Sequence, residues 1–188
     1  MSDYFDDEEN VRDYISMTKD DDWSDFVELL ARHVPDGSEV LELGMGPGAD
    51  LDLLSARYHA IGTDASQAFL DIYLDSHPQA NVFRLDAVIM DTDRRFGAIY
   101  SNKVLHQLKP GELSRSFAEQ AHVLRPGGIA FHSFWYGSGE EIHHGLRFTY
   151  HTEATIRESI GGSFEIVEMG RYEEAENNDS LYVVLTRL

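Results

Sequence analysis

Short apolar runs alternate with amphipathic stretches along most of the 188-residue chain. Residues 40–43, 60–64, 81–85 and 97–100 each read as a short strand, and their near-continuous apolar character marks strands covered on both faces. Residues 23–33 form an amphipathic helix ahead of the first strand, and further helices open near Asp50 and Ser66. The alternation continues to about Trp135 and predicts a parallel sheet with helices on both sides. The tail breaks it. Residues 164–169 and 181–186 are strand-like with no helix between them, and so short a connection suits an antiparallel hairpin instead of a parallel crossover. Before the first strand the chain is polar, with a helical stretch over residues 10–17. The pattern predicts one doubly wound, mostly parallel α/β domain over residues 37–188, preceded by a helical cap over residues 1–36.

The segment VLELGMGPGADLDLL, residues 40–54, carries the most chemistry. Gly44, Gly46 and Gly48 permit a tight turn and close ligand approach, because no β-carbon intervenes. Asp50 and Asp52 open the next helix and complement the positive end of its dipole. The run Gly44-Met45-Gly46-Pro47-Gly48-Ala49 also fits the dinucleotide pattern G-x-G-x-x-G/A. Glu42 separates the two readings. Pyrophosphate against this loop would meet an unwanted negative charge, whereas S-adenosylmethionine brings a sulfonium and an amino group that suit a carboxylate neighbour. A strand-loop-helix without a ligand is the plain alternative.

Further acids follow at informative spacings. Asp64 lies 22 residues after Glu42, at the tip of the second strand, where a carboxylate accepts both ribose hydroxyls in doubly wound nucleotide folds. Its structural alternative is to cap the helix near Ser66. The third strand ends at Asp86-Ala87, where a carboxylate and a backbone amide can read an adenine edge; a surface acid is the competing reading.

Taken in order, these segments resemble the class I S-adenosylmethionine-dependent methyltransferases over most of the chain. ELGMGPG is similar to that family's first motif, IGTDAS to its second, RLDAV to its third, FGAIYSNKVLHQL to its fourth, and LRPGGIAFHSFW to the turn and strand that follow. The resemblance implies a Rossmann-like methyltransferase fold, a seven-stranded sheet with a reversed C-terminal strand. It implies S-adenosyl-L-methionine as cofactor and S-adenosyl-L-homocysteine as product. Glu42, Gly44, Gly46 and Gly48 would surround the methionine part, Asp64 the ribose, and Asp86 and Ala87 the adenine, with Met45, Ala65, Ser101 and Asn102 completing the set. Tyr14 and Met17 share one face of the N-terminal helical stretch. In related folds such a helix closes over the nucleoside, so Tyr14 joins the cofactor residues, with core packing as its alternative.

Charge narrows the acceptor. With 34 acids against 15 bases the formal net charge is −19, and no basic stripe is available to neutralise phosphates. Nucleic acid is therefore excluded as a partner and a small-molecule methyl acceptor is expected. Acidic runs over residues 6–9 and 20–22 read as solvated surface. The absence of cysteine removes disulfides, thiolate nucleophiles and cysteine-ligated iron–sulfur clusters, leaving polar methyl transfer. No run of about 18 apolar residues suggests a membrane span, and the amino terminus is acidic where a signal peptide would be basic, so a soluble cytoplasmic protein is expected. Oligomeric state is not legible.

Catalysis leaves fewer traces, because a sulfonium-bound methyl needs little beyond an acceptor held in line and the exclusion of water. A base is needed only when the acceptor enters protonated, and histidine is best matched to neutral pH. The fourth strand delivers Ser101, Asn102 and Lys103 to the carboxyl edge of the sheet, where ligands of open α/β folds bind, and His106 follows one turn later. Asn102, Lys103 and His106 are the catalytic candidates, and the alternative for His106 is a half-buried helix residue with a satisfied hydrogen bond. SNKV departs from the Asn/Asp-Pro-Pro-aromatic motif of adenine amino methyltransferases, and Ser101 and Asn102 are not the acids that divalent-metal catechol-type enzymes need. Lys103 has two readings, as a receptor for an acidic substrate at a pocket mouth or as a solvated lysine.

Residues 136–150, YGSGEEIHHGLRFTY, lack clear periodicity and read as the acceptor-side lid. Here His144 and Arg147 join His106 as substrate candidates, Arg147 as a planar donor to a carboxylate or phosphate, with a surface ion pair among so many acids as its alternative. A metal on His143, His144 and His151 with Glu140 and Glu141 is not expected, since adjacent histidines on an extended segment point apart and no helical i, i+4 pair occurs. Tyr172, Glu173 and Glu174, between the last two strands, can reach the same rim. The expected reaction is direct in-line methyl transfer. A nucleoside-binding regulatory module and a nicotinamide-dependent oxidoreductase are the other readings.

Overall fold

The computed structural model describes residues 3–18, 22–109, 111–143 and 145–188. A 3-10 turn leads into α1 (Glu8–Thr18) and then α2 (Ser24–Ala31), followed by β1 (Glu39–Leu43), α3 (Ala49–Ser55), β2 (His59–Asp64), α4 (Gln67–Ser76), β3 (Val82–Arg84) and β4 (Phe96–Ser101). The second half holds α5 (Glu112–Val123), β5 (Leu124–Trp135), β6 (Glu140–His143), β7 (Leu146–Thr149), α6 (Glu153–Ser159), β8 (Phe164–Tyr172) and β9 (Ser180–Arg187). Seven strands form one sheet in the order β3-β2-β1-β4-β5-β9-β8. The first five are mutually parallel, and β9 runs antiparallel to both β5 and β8. The expected doubly wound sheet with a reversed C-terminal strand is therefore present.

Both faces of the sheet are covered, which is why its central strands are apolar along their whole length. On one face Leu41, Ile99, Ala130 and Leu185 pack with Leu113 and Phe117 of α5 and Ile156 of α6. On the other, Val40, Tyr100, Phe131 and Val184 pack with Phe26, Val27 and Leu30 of α2 and Leu54 of α3. Local signals start the helices. Ser66 caps α4 by accepting from the Phe69 amide at 3.5 Å, and its hydroxyl donates to Phe5 O at 2.6 Å, tying the N-terminal segment to the sheet edge. Thr152 and Thr155 form a reciprocal capping box at the start of α6.

Residues 136–150 depart from expectation. Instead of an irregular segment they hold a two-stranded hairpin in which Glu140 pairs with Thr149 and His143 with Leu146. Glu140, Glu141, Ile142 and His143 are all exposed, so burial on one face, the period-two signal of most strands, is missing from β6. The helical stretch expected over residues 10–17 is longer, and Met17 is 70% exposed, so it does not share the half-buried place of Tyr14. Among the described residues no helix is long and apolar enough to cross a membrane.

A polar chain crosses the core behind β4 and β5. Ser116 donates to Ala87 O at 2.7 Å, Gln120 Nε2 donates to Ser116 at 3.2 Å, and Gln120 Oε1 lies 2.8 Å from His132 Nε2. The amide oxygen can only accept, so Nε2 carries the His132 proton and Nδ1 accepts from Ser101 Oγ at 2.8 Å. All four side chains are fully buried, and burial pushes His132 down to about 3, which keeps it neutral.

Candidate functional site

A cleft of about 290 Å³ opens at the carboxyl edge of the sheet, where β1, β2 and β4 end at Leu43, Asp64 and Ser101. Its floor is the loop after β1. Gly44, Gly46 and Gly48 have φ of 68°, 49° and 91°, a left-handed run that β-carbons resist. The three glycines differ in what surrounds them. A β-carbon on Gly44 would lie 2.5 Å from Val104 and one on Gly48 2.3 Å from Tyr73, whereas one on Gly46 would meet only the Tyr14 ring at 4.0 Å. Gly44 and Gly48 are therefore demanded by packing, while the space over Gly46 is open and belongs to the cleft.

Three carboxylates converge beside this loop. Glu42 is 3% exposed, and its Oε2 has no hydrogen-bond partner among the described residues. Burial, reinforced by Asp50, Asp64 and Asp52, pushes its carboxyl well above the ordinary value. Asp64 accepts from the Gly46 amide at 3.0 Å and the Ser66 amide at 2.9 Å; burial raises its pKa and these amides oppose the rise. Asp50 does more than complement a helix dipole: Tyr100 Oη donates to it at 2.9 Å and Asn102 Nδ2 at 3.1 Å. Gathering acids in a buried place is costly without a cation to relieve it. The set therefore fits a ligand that carries positive charge beside a nucleoside, as the resemblance requires.

The opposite wall is aromatic and neutralised. Lys103 is neither solvated nor free at the mouth. Its ammonium lies 2.6 Å from Glu174, 2.7 Å from Ser180 Oγ and 3.2 Å from the centre of the Trp135 ring. Burial nevertheless lowers it to about 8 against the pull of Glu174. His106 sits in a 3-10 turn, 2% exposed, stacked on Phe148 at 5.2 Å, with neither ring nitrogen partnered among the described residues. Burial first, then Lys103 and His151, lowers it to about 3. It is neutral at physiological pH and far too weak a base for the task that its residue type suggested.

Residues 40–128 match the family described as methyltransferase domain. The chain carries a class I methyltransferase domain. Its relatives include trans-aconitate 2-methyltransferase of Variovorax paradoxus (strain S110), 34% identical over 143 residues that span 72% of this chain and 53% of that protein. They also include dTDP-4-amino-2,3,4,6-tetradeoxy-D-glucose N,N-dimethyltransferase of Saccharopolyspora spinosa, 25% identical over 160 residues, 77% of this chain and 64% of that one. The match thus spans a little over half and just under two thirds of these two relatives. In fold the domain resembles a glycopeptide N-methyltransferase crystallised with S-adenosyl-L-methionine, with TM-score 0.74, 17% identity, and 89% and 88% of the two chains covered.

The cleft of this methyltransferase domain brings together Tyr14, Glu42, Gly44, Met45, Gly46, Asp64, Asn102, Lys103 and His106, all singled out in the sequence. Others lie off it. Gly48 packs on Tyr73, Ser101 binds His132, and the Ala65 carbonyl accepts from Arg84 Nε at 2.8 Å. Asp86 Oδ1 accepts from the Val88 and Ile89 amides at 2.7 and 3.2 Å, and Ala87 lies beneath them, 2% exposed. Arg147 is paired with Glu140 on the hairpin, and His144 falls outside the described residues. Asp50, Trp135, Leu146 and Phe148 line the cleft without having been singled out as ligand residues. Asp50 had a signal, its place in the first turn after a glycine loop, and Leu146 and Phe148 belong to the segment read as the acceptor-side lid; Trp135 is brought in by long-range packing that no local pattern announces. Among the described residues no group of three or more histidines or acids is arranged to hold a metal.

Proposed function

We propose that this chain is an S-adenosyl-L-methionine-dependent methyltransferase that transfers the methyl group to a small-molecule acceptor by direct in-line displacement. The observation that carries this reading is the buried Glu42 carboxyl, whose Oε2 has no hydrogen-bond partner among the described residues, beside the open face of Gly46. The relatives support it by their names, which describe methyl transfer to two different small molecules.

In this reading Glu42 and the Gly44–Gly46 backbone hold the methionine part of the cofactor, with Asp50 alongside. Asp64 takes the ribose hydroxyls, and Asp86 and Ala87, one strand further out, form the adenine end with Ala65. Tyr14 closes over the nucleoside from α1. The bound cofactor supplies a methyl group already activated on a sulfonium. What remains for the protein is position and dryness. Asn102 is fixed from both sides, donating to Asp50 and accepting from Ser133 at 2.5 Å, so it is a rigid positioning group at the end of β4. Lys103 anchors the β8–β9 loop through Glu174. His106 offers an uncharged ring nitrogen to the acceptor, while Phe148, Leu146 and Trp135 exclude water. The β6–β7 hairpin and α1 act as the acceptor-side lid.

The test is thermal unfolding in the presence of S-adenosyl-L-methionine, S-adenosyl-L-homocysteine and NADH, each at about 100 times a micromolar-range Kd. A specific ligand at that excess stabilises by about 2.7 kcal/mol, a shift of roughly 5–10 °C for a domain of this size. The first two shift the transition and NADH does not; a shift by NADH alone, or by none, removes the proposal.

A further inference from the structure

The cleft as a whole carries a charge pattern that selects among small molecules, and this step rests on the function proposed above. Among the described residues lining the cleft, four are acids, Glu42, Asp50, Asp64 and Glu174, and Lys103 is the one lysine or arginine. That single cation is spent on Glu174 and Trp135. Arg147, the guanidinium expected to greet a carboxylate, is paired with Glu140 outside the cleft. Even with the cofactor's net single positive charge the cleft stays negative. An acceptor bearing a carboxylate would enter it with no unpaired cation to meet and several like charges to pass.

We infer that the acceptor is an amine carried on an apolar or aromatic body, and that the cleft discriminates against carboxylates. A buried polar group lining the cleft supports this beyond the acids themselves. His106 is 2% exposed and neither of its ring nitrogens has a hydrogen-bond partner among the described residues, so an amine N–H has a neutral acceptor to meet, while Glu42 is left to the cofactor. The wall already holds one ammonium, that of Lys103, over Trp135 and beside Glu174, which demonstrates its capacity for a cationic nitrogen. Phe148, Leu146 and Trp135 supply the apolar surface.

The chemistry balances without a base in the transfer step. The nitrogen lone pair forms the new N–C bond as the C–S bond breaks, and that electron pair goes to sulfur, leaving a neutral thioether. The product is an ammonium that gives its proton to bulk water on release. Only the free amine attacks, so an acceptor that enters as an ammonium first gives its proton to bulk water; burial favours that loss, and the same surroundings hold Lys103 down to about 8. A phenol or alcohol would instead need a base, which His106, at about 3, does not provide.

The experiment compares benzylamine with benzoate, rings of similar size and opposite charge, titrated calorimetrically into the protein loaded with S-adenosyl-L-homocysteine. Benzylamine binds at least about tenfold tighter, because like-charge juxtaposition in a cleft costs a tenfold factor or more. In Glu174→Gln, which frees the Lys103 ammonium, the ratio falls and moves toward benzoate. Benzoate binding as tightly as benzylamine, or no binding of benzylamine, overturns the inference. Loading with S-adenosyl-L-homocysteine is measured first in the same cell, so failure of the cofactor reading shows at that step and is distinct from failure of the amine inference.

Discussion

The floor of the cleft and its wall are assembled in opposite ways. The floor, Glu42 to Gly48 with Asp64, comes from two adjacent parallel strands and the loop between β1 and α3, held by backbone bonds such as Gly46 N to Asp64 and Met45 N to Thr63 O at 2.8 Å. The wall is gathered from α1 (Tyr14), the end of β5 (Trp135), the β6–β7 hairpin (Leu146, Phe148) and the β8–β9 loop (Glu174), segments far apart in sequence. A surface fixed by backbone geometry tolerates few residue types and leaves a readable sequence. One made by packing of distant side chains can be rebuilt with many sequences, and that is where acceptor preference is free to change.

Substitutions sharpen the contrast. The largest effect is expected in the floor. Gly48→Ala forces a residue with a β-carbon to φ 91° and into Tyr73, and Gly44→Val does the same at φ 68° against Val104. Left-handed strain of about 1–2 kcal/mol and overpacking of about 1–3 kcal/mol add to a loss of about 2–5 kcal/mol, read by urea unfolding. Phe148→Ala in the wall, at a half-buried position, costs less than either. If it costs more, the division between a rigid floor and a replaceable wall is wrong.

Two buried histidines give the next effect. His132→Leu leaves Ser101 and Gln120 without their partner in the core, at about 1–3 kcal/mol for each orphaned group. His106→Leu removes two ring nitrogens that have no partner among the described residues and is neutral or stabilising in the unliganded protein. Equal losses in the two variants would mean that His106 is a structural residue.

Each pH unit moves stability by less than the floor substitutions do. Both histidines have folded pKa values of about 3, below the ordinary 6.5, so the unfolded chain binds more protons between those limits and stability falls as pH drops through that window. His106→Leu flattens this slope by up to about 1.4 kcal/mol per pH unit. Lys103, at about 8 instead of 10.5, makes stability rise between those values, and Lys103→Met removes that rise. Guanidinium-free unfolding curves at pH 5, 7 and 9 follow both.

The same division explains what the sequence reveals. The run of parallel strands, the antiparallel tail and the floor residues were legible because buried parallel strands, short strand connections, glycines and strand-end acids each have a local signature. The β6–β7 hairpin was not, since its first strand is exposed throughout and carries no alternation. Lys103 and His106 were recognised as cleft residues, but their states were not: the partner of Lys103 is 71 residues away, and the pKa of His106 follows from the burial around it. The Ser101–His132–Gln120–Ser116 chain was equally hidden, because its members are ordinary polar residues until the fold aligns them.

The central claim is that Glu42 and the open face of Gly46 hold the cofactor. It is tested most directly by calorimetric titration of S-adenosyl-L-methionine into the wild-type protein and Gly46→Arg, which fills the cleft from a position where a β-carbon meets only Tyr14 at 4.0 Å. Saturable one-site binding to the wild type and none to a folded Gly46→Arg is the predicted result. Equal binding to both, or none to the wild type, contradicts it.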